Sequence, residues 1–123
     1  MNTEQIAKRL VELCRAGNYE QAQKELYADD AVSIEMQGMQ TGDMGNAKGL
    51  DAILEKGRKF QEQLEAVHGG SVSDPAVAGN WFSCSMVIDA TMKSRGRVEM
   101  KEICVYHVRD GKIASEQFFY DAG

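Results

Sequence analysis

The chain has 123 residues, a formal charge of -5 at pH 7 and a pI near 5.0. That length predicts one domain, residues 1–123, with a single core that needs no metal or disulfide staple. The acidic balance argues against a nucleic-acid partner, and no basic amphipathic run or bilayer-length apolar run points to a membrane.

Met1-Asn2-Thr3-Glu4-Gln5 has neither the charged leader nor the apolar stretch of a secretion signal. Cys14, Cys84 and Cys104 are odd in number, widely spaced and set in apolar runs, as reduced core thiols of a cytoplasmic protein would be. The functional alternative is a nucleophilic Cys104 near His68.

In chain order, Thr3 can cap a first helix in which Ile6, Leu10, Leu13 and Cys14 recur at helical spacing. Gly17 ends it, and Asn18 caps a second helix, Tyr19 to Tyr27, closed by Ala28-Asp29-Asp30. Ala31 to Met36 is β-like. Gln37 to Gly49 is Gly-rich and long for a loop in a compact domain, as a lid or a solvated excursion would be. Leu50 to Leu64 patterns as a third helix with Ile53, Leu54 and Phe60 on one side.

The remainder is β-patterned: Ala66 to Ser73, a short piece at Ala76 to Ala78, Trp81 to Met92, Val98 to Val108 and Ile113 to Tyr120. Helices first and an antiparallel meander after them predict an α+β domain with helices packed on one sheet face. Gly69-Gly70, inside a β-run, suggests a bulge or close packing rather than a phosphate cradle.

One strand carries the first chemical signal. Val98, Met100, Cys104, Tyr106 and Val108 alternate with polar residues, yet Glu102 falls in line with the apolar set. A carboxylate aimed at an interior must be paired, protonated or used. Phe82, Cys84, Met86 and Ile88 share the facing side of the preceding strand. For the last strand two turns are open. A type I turn with Gly111 in a bulge sends Glu116, Phe118 and Tyr120 inward, whereas a two-residue Asp110-Gly111 turn sends Ser115, Gln117 and Phe119 inward. The opposite sheet face is also apolar, with Trp81, Val87, Ile103 and Val105, which predicts cover by another subunit, most simply in a twofold homodimer with His107 near the interface.

Leu26-Tyr27-Ala28-Asp29-Asp30-Ala31 after two short helices, and Val105 to Ile113 followed by Phe118-Phe119-Tyr120-Asp121, resemble the ketosteroid isomerase-like and SnoaL-like proteins of the nuclear transport factor 2-like superfamily. The resemblance implies a cystatin-like conical α+β barrel, its curved and mainly antiparallel sheet packed on three N-terminal helices around a pocket, usually in a dimer. It favours the first of the two turns. The family contains isomerases, polyketide cyclases, dehydratases and binders, so the fold alone does not name an activity.

By the same resemblance, the isomerase's catalytic aspartate falls near Glu35, its oxyanion-holding tyrosine near Leu10 and its protonated aspartic acid near Cys104. Leucine cannot donate a hydrogen bond and a thiol donates poorly, at roughly 3 kcal/mol or more per lost donor. Steroid isomerisation by that mechanism is therefore not expected. The cyclases resemble a histidine-and-aspartate arrangement, and the register of the resemblance points His68 inward, where it could transfer protons or simply bond a core carbonyl.

The expected site thus has Glu35, His68, Glu102 and Glu116 as acid/base residues. Tyr27, Phe82, Cys84, Met86, Met100, Cys104, Tyr106, Phe118 and Tyr120 would bind the ligand. Acids sharing a low-dielectric cavity repel, so at least one should keep its proton near neutral pH. Arg9, Arg15 or Arg58 from the helices could instead neutralise Glu102 and Glu116. The lone inward histidine and scattered glutamates lack metal-ligand spacing, and no cofactor is expected. These readings predict a small, largely apolar carbonyl or hydroxyl ligand and cofactor-independent isomerisation, cyclisation or dehydration. Glu35 or Glu102 would be the base and His68 or Glu116 the acid. The alternative is a non-catalytic binding or dimeric assembly module.

Overall fold

The computed structural model describes residues 1–121. Helix α1 (Thr3–Arg15) buries Ile6, Leu10, Leu13 and Cys14 as its spacing predicts. Its cap is Asn2 rather than Thr3. Asn2 Oδ1 accepts from the Gln5 amide at 2.8 Å while Gln5 Oε1 accepts from the Asn2 amide at 2.9 Å, so both termini of the box are satisfied. Gly17, at φ +78°, turns the chain into α2 (Tyr19–Leu26). Asn18 serves that helix only through its carbonyl, which accepts from the Ala22 amide at 3.1 Å.

No loop follows. Strand β1 (Tyr27–Ile34) takes in Ala28-Asp29-Asp30, expected to lie outside the sheet. The reason is a long-range partner that the local pattern does not display: β1 runs parallel to the last strand, β7 (Lys112–Phe119), from Tyr27 opposite Ile113 to Ile34 opposite Gln117. The Gly-rich excursion returns as β2 (Ala47–Lys48), antiparallel to β1 at Val32 and Ser33. Helix α3 (Leu50–Gln63) then buries Ile53 and Leu54.

Strands β3 (Leu64–Val72), β4 (Ala76–Ala78), β5 (Trp81–Met92) and β6 (Gly96–Arg109) lead to β7, and the sheet order is β2-β1-β7-β6-β5-β3 with β4 on β5. The sheet curves over the helices but does not close, so the expected cone is an open one. Phe82, Cys84, Met86, Cys104, Tyr106 and Ile113 pack from its concave side in one core with Ile6, Leu10 and Val11 of α1. Gly70 permits the close approach of β3 to β5, since a Cβ there would lie 2.5 Å from the Val87 carbonyl oxygen.

The β6–β7 turn resolves the two registers in an unforeseen way. Asp110 and Gly111 have φ of +53° and +74°, the two-residue type I′ geometry, with Arg109 opposite Lys112 and Val108 opposite Ile113. The resemblance had favoured the other turn. An irregularity beyond it sets His107 opposite Ser115, which restores Glu116 and Phe118 to the concave side. Turn type and side-chain direction were thus decided separately. Among the described residues no helix is long and apolar enough to cross a membrane.

Candidate functional site

The concave residues fall in rows. Ser33 of β1, Glu116 of β7, Tyr106 of β6 and Phe82 of β5 are successive cross-strand partners. Phe118, Cys104 and Cys84 form the next row, and Glu102 lies opposite Met86 in the one after. The Phe82 and Tyr106 rings stack with centroids 4.7 Å apart. Strand alternation, with the irregularity between β6 and β7, therefore brings carboxylates from two strands onto one surface, and Glu35, just past β1, adds a third.

Their environments differ. Glu116 is fully enclosed, accepts from the Tyr27 hydroxyl and has Ser33 beside it. Burial raises its pKa and these two hydrogen bonds pull the other way. Tyr27 is pushed well above the usual phenol value by burial and by the Glu116 charge. Glu35 is held by two groups, the Lys56 ammonium at 2.7 Å and the Tyr120 hydroxyl at 2.9 Å. Lys56 also donates to Ser33 Oγ at 3.1 Å, and its Nζ lies 5.4 Å from the Phe118 ring centroid. Tyr120 is raised to about 12 by burial and by its bond to Glu35.

Glu102 is the exception. Its hydrogen-bond contact is with the Cys104 thiol, which donates at 3.5 Å. Burial lifts its pKa to about 7 with help from the charges of Glu35 and Glu116, against the lowering hydrogen bond from Cys104, which outweighs either charge, and a smaller effect of Lys56. It is half-buried, at the end of the face where Ile88 and Met100 are also half-buried. One of three acids thus exchanges its proton near neutrality while another sits in an ion pair.

Lys56 was missed. Its spacing from Ile53 and Phe60, three and four residues, places it on the inward stripe of α3, and that was the available signal. None of the helix arginines takes the role expected of it. Arg9 pairs with Glu12 and Glu25, Arg15 with Asp74 and the Val72 carbonyl, and Arg58 with Glu20. Ser33, the other unforeseen member, alternates with Ala31 and Glu35 on β1.

His68 does not join the site. It is exposed, and its Nε2 lies 2.7 Å from Thr91 Oγ1 on the convex side. The bulge between Val67 and Gly69 removes it from strict alternation, and β3 is an edge strand with little burial to enforce direction. This also removes the pairing of Cys104 with His68; the thiol's neighbour is Glu102. The other residues read as ligand-binding (Tyr27, Phe82, Cys84, Met86, Met100, Cys104, Tyr106, Phe118 and Tyr120) lie on or at the rim of the concave surface. A cavity of about 190 Å³ opens beside Glu35 and Phe118, bounded by Ile34 to Gln37 and Gln117 to Phe119. A larger one, about 420 Å³, lies away from the acids at the β6–β7 turn, among Asn2, Asn80, His107 and Gly111.

The model of the SnoaL-like domain family matches residues 1–120. The chain belongs to the SnoaL-like family. A protein from Mesorhizobium loti, provisionally described as a SnoaL-like polyketide cyclase, is 39% identical to this SnoaL-like chain, with 98% of this chain and 100% of that one covered and a TM-score of 0.89. An NTF2-like protein from Burkholderia thailandensis is 20% identical over 98% of this chain and 92% of that one, with a TM-score of 0.80. IdmH from Streptomyces antibioticus, also provisionally a polyketide cyclase, is 18% identical over 98% and 93%, with a TM-score of 0.72. No curated protein matches the chain. The SnoaL-like fold is therefore shared with NTF2-like proteins, as the resemblance implied.

Proposed function

We propose that this SnoaL-like protein binds a small, largely apolar carbonyl or hydroxyl compound on its concave face and moves a proton on it without a cofactor. The observation that carries the reading is Glu102, a half-buried carboxylate on the concave face, its pKa raised to about 7 chiefly by burial, in the field of a lysine already committed to another acid. As a carboxylate it would take a proton from the carbon next to a carbonyl. Glu35 and Ser33 take two of the three N–H donors of Lys56, and the third is offered to the developing oxyanion. Tyr120 and Glu35 hold the ammonium in place. Glu116, sealed behind Tyr27, supports the site rather than touching the ligand.

Cyclisation of a carbonyl chain, the activity provisionally attached to the 39% identical relative, needs the same two groups. One carbon is deprotonated and one carbonyl oxygen is stabilised. The 190 Å³ cavity is lined by Glu35 and Phe118 but by neither Glu102 nor Lys56, and it is below the roughly 300 Å³ of drug-sized sites, so the reading requires a small ligand that displaces Phe118 to reach those two groups.

The test is proton–deuterium exchange beside the carbonyl in a panel of small cyclic and aromatic ketones, followed by NMR. Wild-type protein should accelerate exchange of at least one member, with a rate rising as pH passes about 7, because the base is the ionised form. Glu102→Gln should lower that rate by about 10²- to 10⁴-fold. Unchanged exchange in the variant would refute the assignment.

The second reading concerns assembly. Trp81, Ile103 and Phe119 remain exposed on the convex face, with Trp81 stacked on His107 at 4.4 Å. We propose that a second copy covers them in a twofold dimer.

A further inference from the structure

Cys84 and Cys104 stand directly opposite one another on β5 and β6. The Val108 amide donates to the Asn80 carbonyl at 2.8 Å, and the Ser73 amide donates to the Ser85 carbonyl at 2.9 Å. Even-numbered residues of β5 thus direct their backbone groups at β6 and odd-numbered ones at β3. The two cysteines are therefore a hydrogen-bonded cross-strand pair, whose Cα atoms lie about 5.5 Å apart. A disulfide spans roughly 4.4–6.8 Å between Cα atoms. Both thiols are free and point into the concave side, and Cys104 Sγ touches Glu102 Oε1 at 3.5 Å.

From this juxtaposition we propose that Cys84 and Cys104 are a reversible oxidation site, at which a peroxide converts the facing thiols into an intrachain cross-strand disulfide. Cys84 sulfur attacks one oxygen of hydrogen peroxide; the O–O bond breaks and a sulfenic acid and one water are left. Cys104 passes its proton to the adjacent Glu102 carboxylate, and its sulfur displaces hydroxide from Cys84. The hydroxide leaves as a second water with that proton. Two thiols are oxidised and one peroxide is reduced to two waters.

The order of attack follows the surroundings. Cys104 can donate its S–H toward Cys84, which lowers the Cys84 pKa in spite of burial, whereas Cys104 itself is raised by that bond and by burial. Both cysteines are buried, so the oxidant must enter past Glu102, the half-buried neighbour of Cys104. Oxidation takes from Glu102 the thiol it accepts from, and thereby ties the redox state to the candidate site.

The experiment treats the folded protein with hydrogen peroxide, counts thiols, and maps tryptic peptides without reduction. Lys93, Arg95, Arg97 and Lys101 separate the two cysteines into different peptides. The expected result is a Cys84–Cys104 linked peptide, a fall in free thiols from three to one, and full recovery with dithiothreitol. A Cys14→Ser protein should form the same link, and Cys84→Ser or Cys104→Ser should abolish it. Cys14 also lies within the field of Cys84, so a Cys14–Cys84 link is the sharpest contrary outcome. That link, a bond between chains, irreversible oxidation of a single cysteine, or three surviving thiols would each overturn the proposal.

Discussion

Lys56 Nζ reaches Ser33 and Glu35 together, at 3.1 and 2.7 Å, and leaves Glu102 in the field of two other carboxylates. Burial, only partly offset by the Cys104 thiol and Lys56, leaves Glu102 raised to about 7. The consequence for stability has a definite sign. With a folded pKa of about 7 against 4.5 for an ordinary glutamate, Glu102 keeps a proton in the native state that the unfolded chain has already released. Stability must fall as pH rises from about 5 to 8, by an amount on the order of 3 kcal/mol from this group alone. Glu102→Gln removes that slope. Urea unfolding should show the variant gaining on wild type by about 1–3 kcal/mol between pH 5 and pH 8. Glu116, raised in the same direction, acts equally in both proteins and cancels in the difference. Parallel curves for the two proteins would contradict the burial of this charge.

Among elements, the strands show what local pattern can and cannot carry. Alternation from Trp81 to Tyr106 gave the concave set of β5 and β6 directly, because that pair runs without irregularity from Trp81 opposite His107 to Met92 opposite Gly96. The register carried over from the resemblance failed for His68, where one unpaired residue on an edge strand reverses direction, and it favoured the wrong β6–β7 turn, between two that alternation had left open, whose geometry was offset by a later irregularity. Lys56 escaped notice because a lysine on a helix is usually read as solvated, although the long stem lets its ammonium reach inward from the apolar stripe. The start of β1 depends on β7, some 85 residues away in sequence, and nothing local to Tyr27 announces it. The Gly69-Gly70 pair gives a prediction at this level. A Cβ on Gly70 would meet the Val87 carbonyl at 2.5 Å, whereas one on Gly69 meets nothing within 4 Å. Gly70→Ala should cost about 1–3 kcal/mol by forcing β3 from β5, and Gly69→Ala should stay within about 0.5 kcal/mol. Denaturant unfolding of both variants distinguishes a close-packing glycine from one that is merely tolerated.

On the scale of the whole molecule, the sheet has two unlike faces. The concave one is filled by helices and carries the acids; the convex one leaves Ile103 at 54% and Trp81 and Phe119 at 46% exposure near the sheet centre. If a second copy covers this surface, as proposed, native mass spectrometry should record a dimer. Ile103→Lys should then convert it to monomer, since an unpaired ammonium at the middle of an apolar contact is strongly disfavoured. A wild-type monomer at micromolar concentration would remove the assembly reading and leave the concave site untouched.

The parallel pairing of β1 with β7 has a consequence for how the protein is made. Ser33 and Glu35 emerge from the ribosome about 80 residues before the strand beside them. The nascent chain can assemble its helices and the β5–β6 ribbon before then, but β1 must wait without its neighbour. Lys56 meanwhile has only its early-synthesised partners to bind. The early residues Ser33, Glu35 and Lys56 therefore precede the late ones, and β7 both completes the sheet and delivers Glu116 to Tyr27.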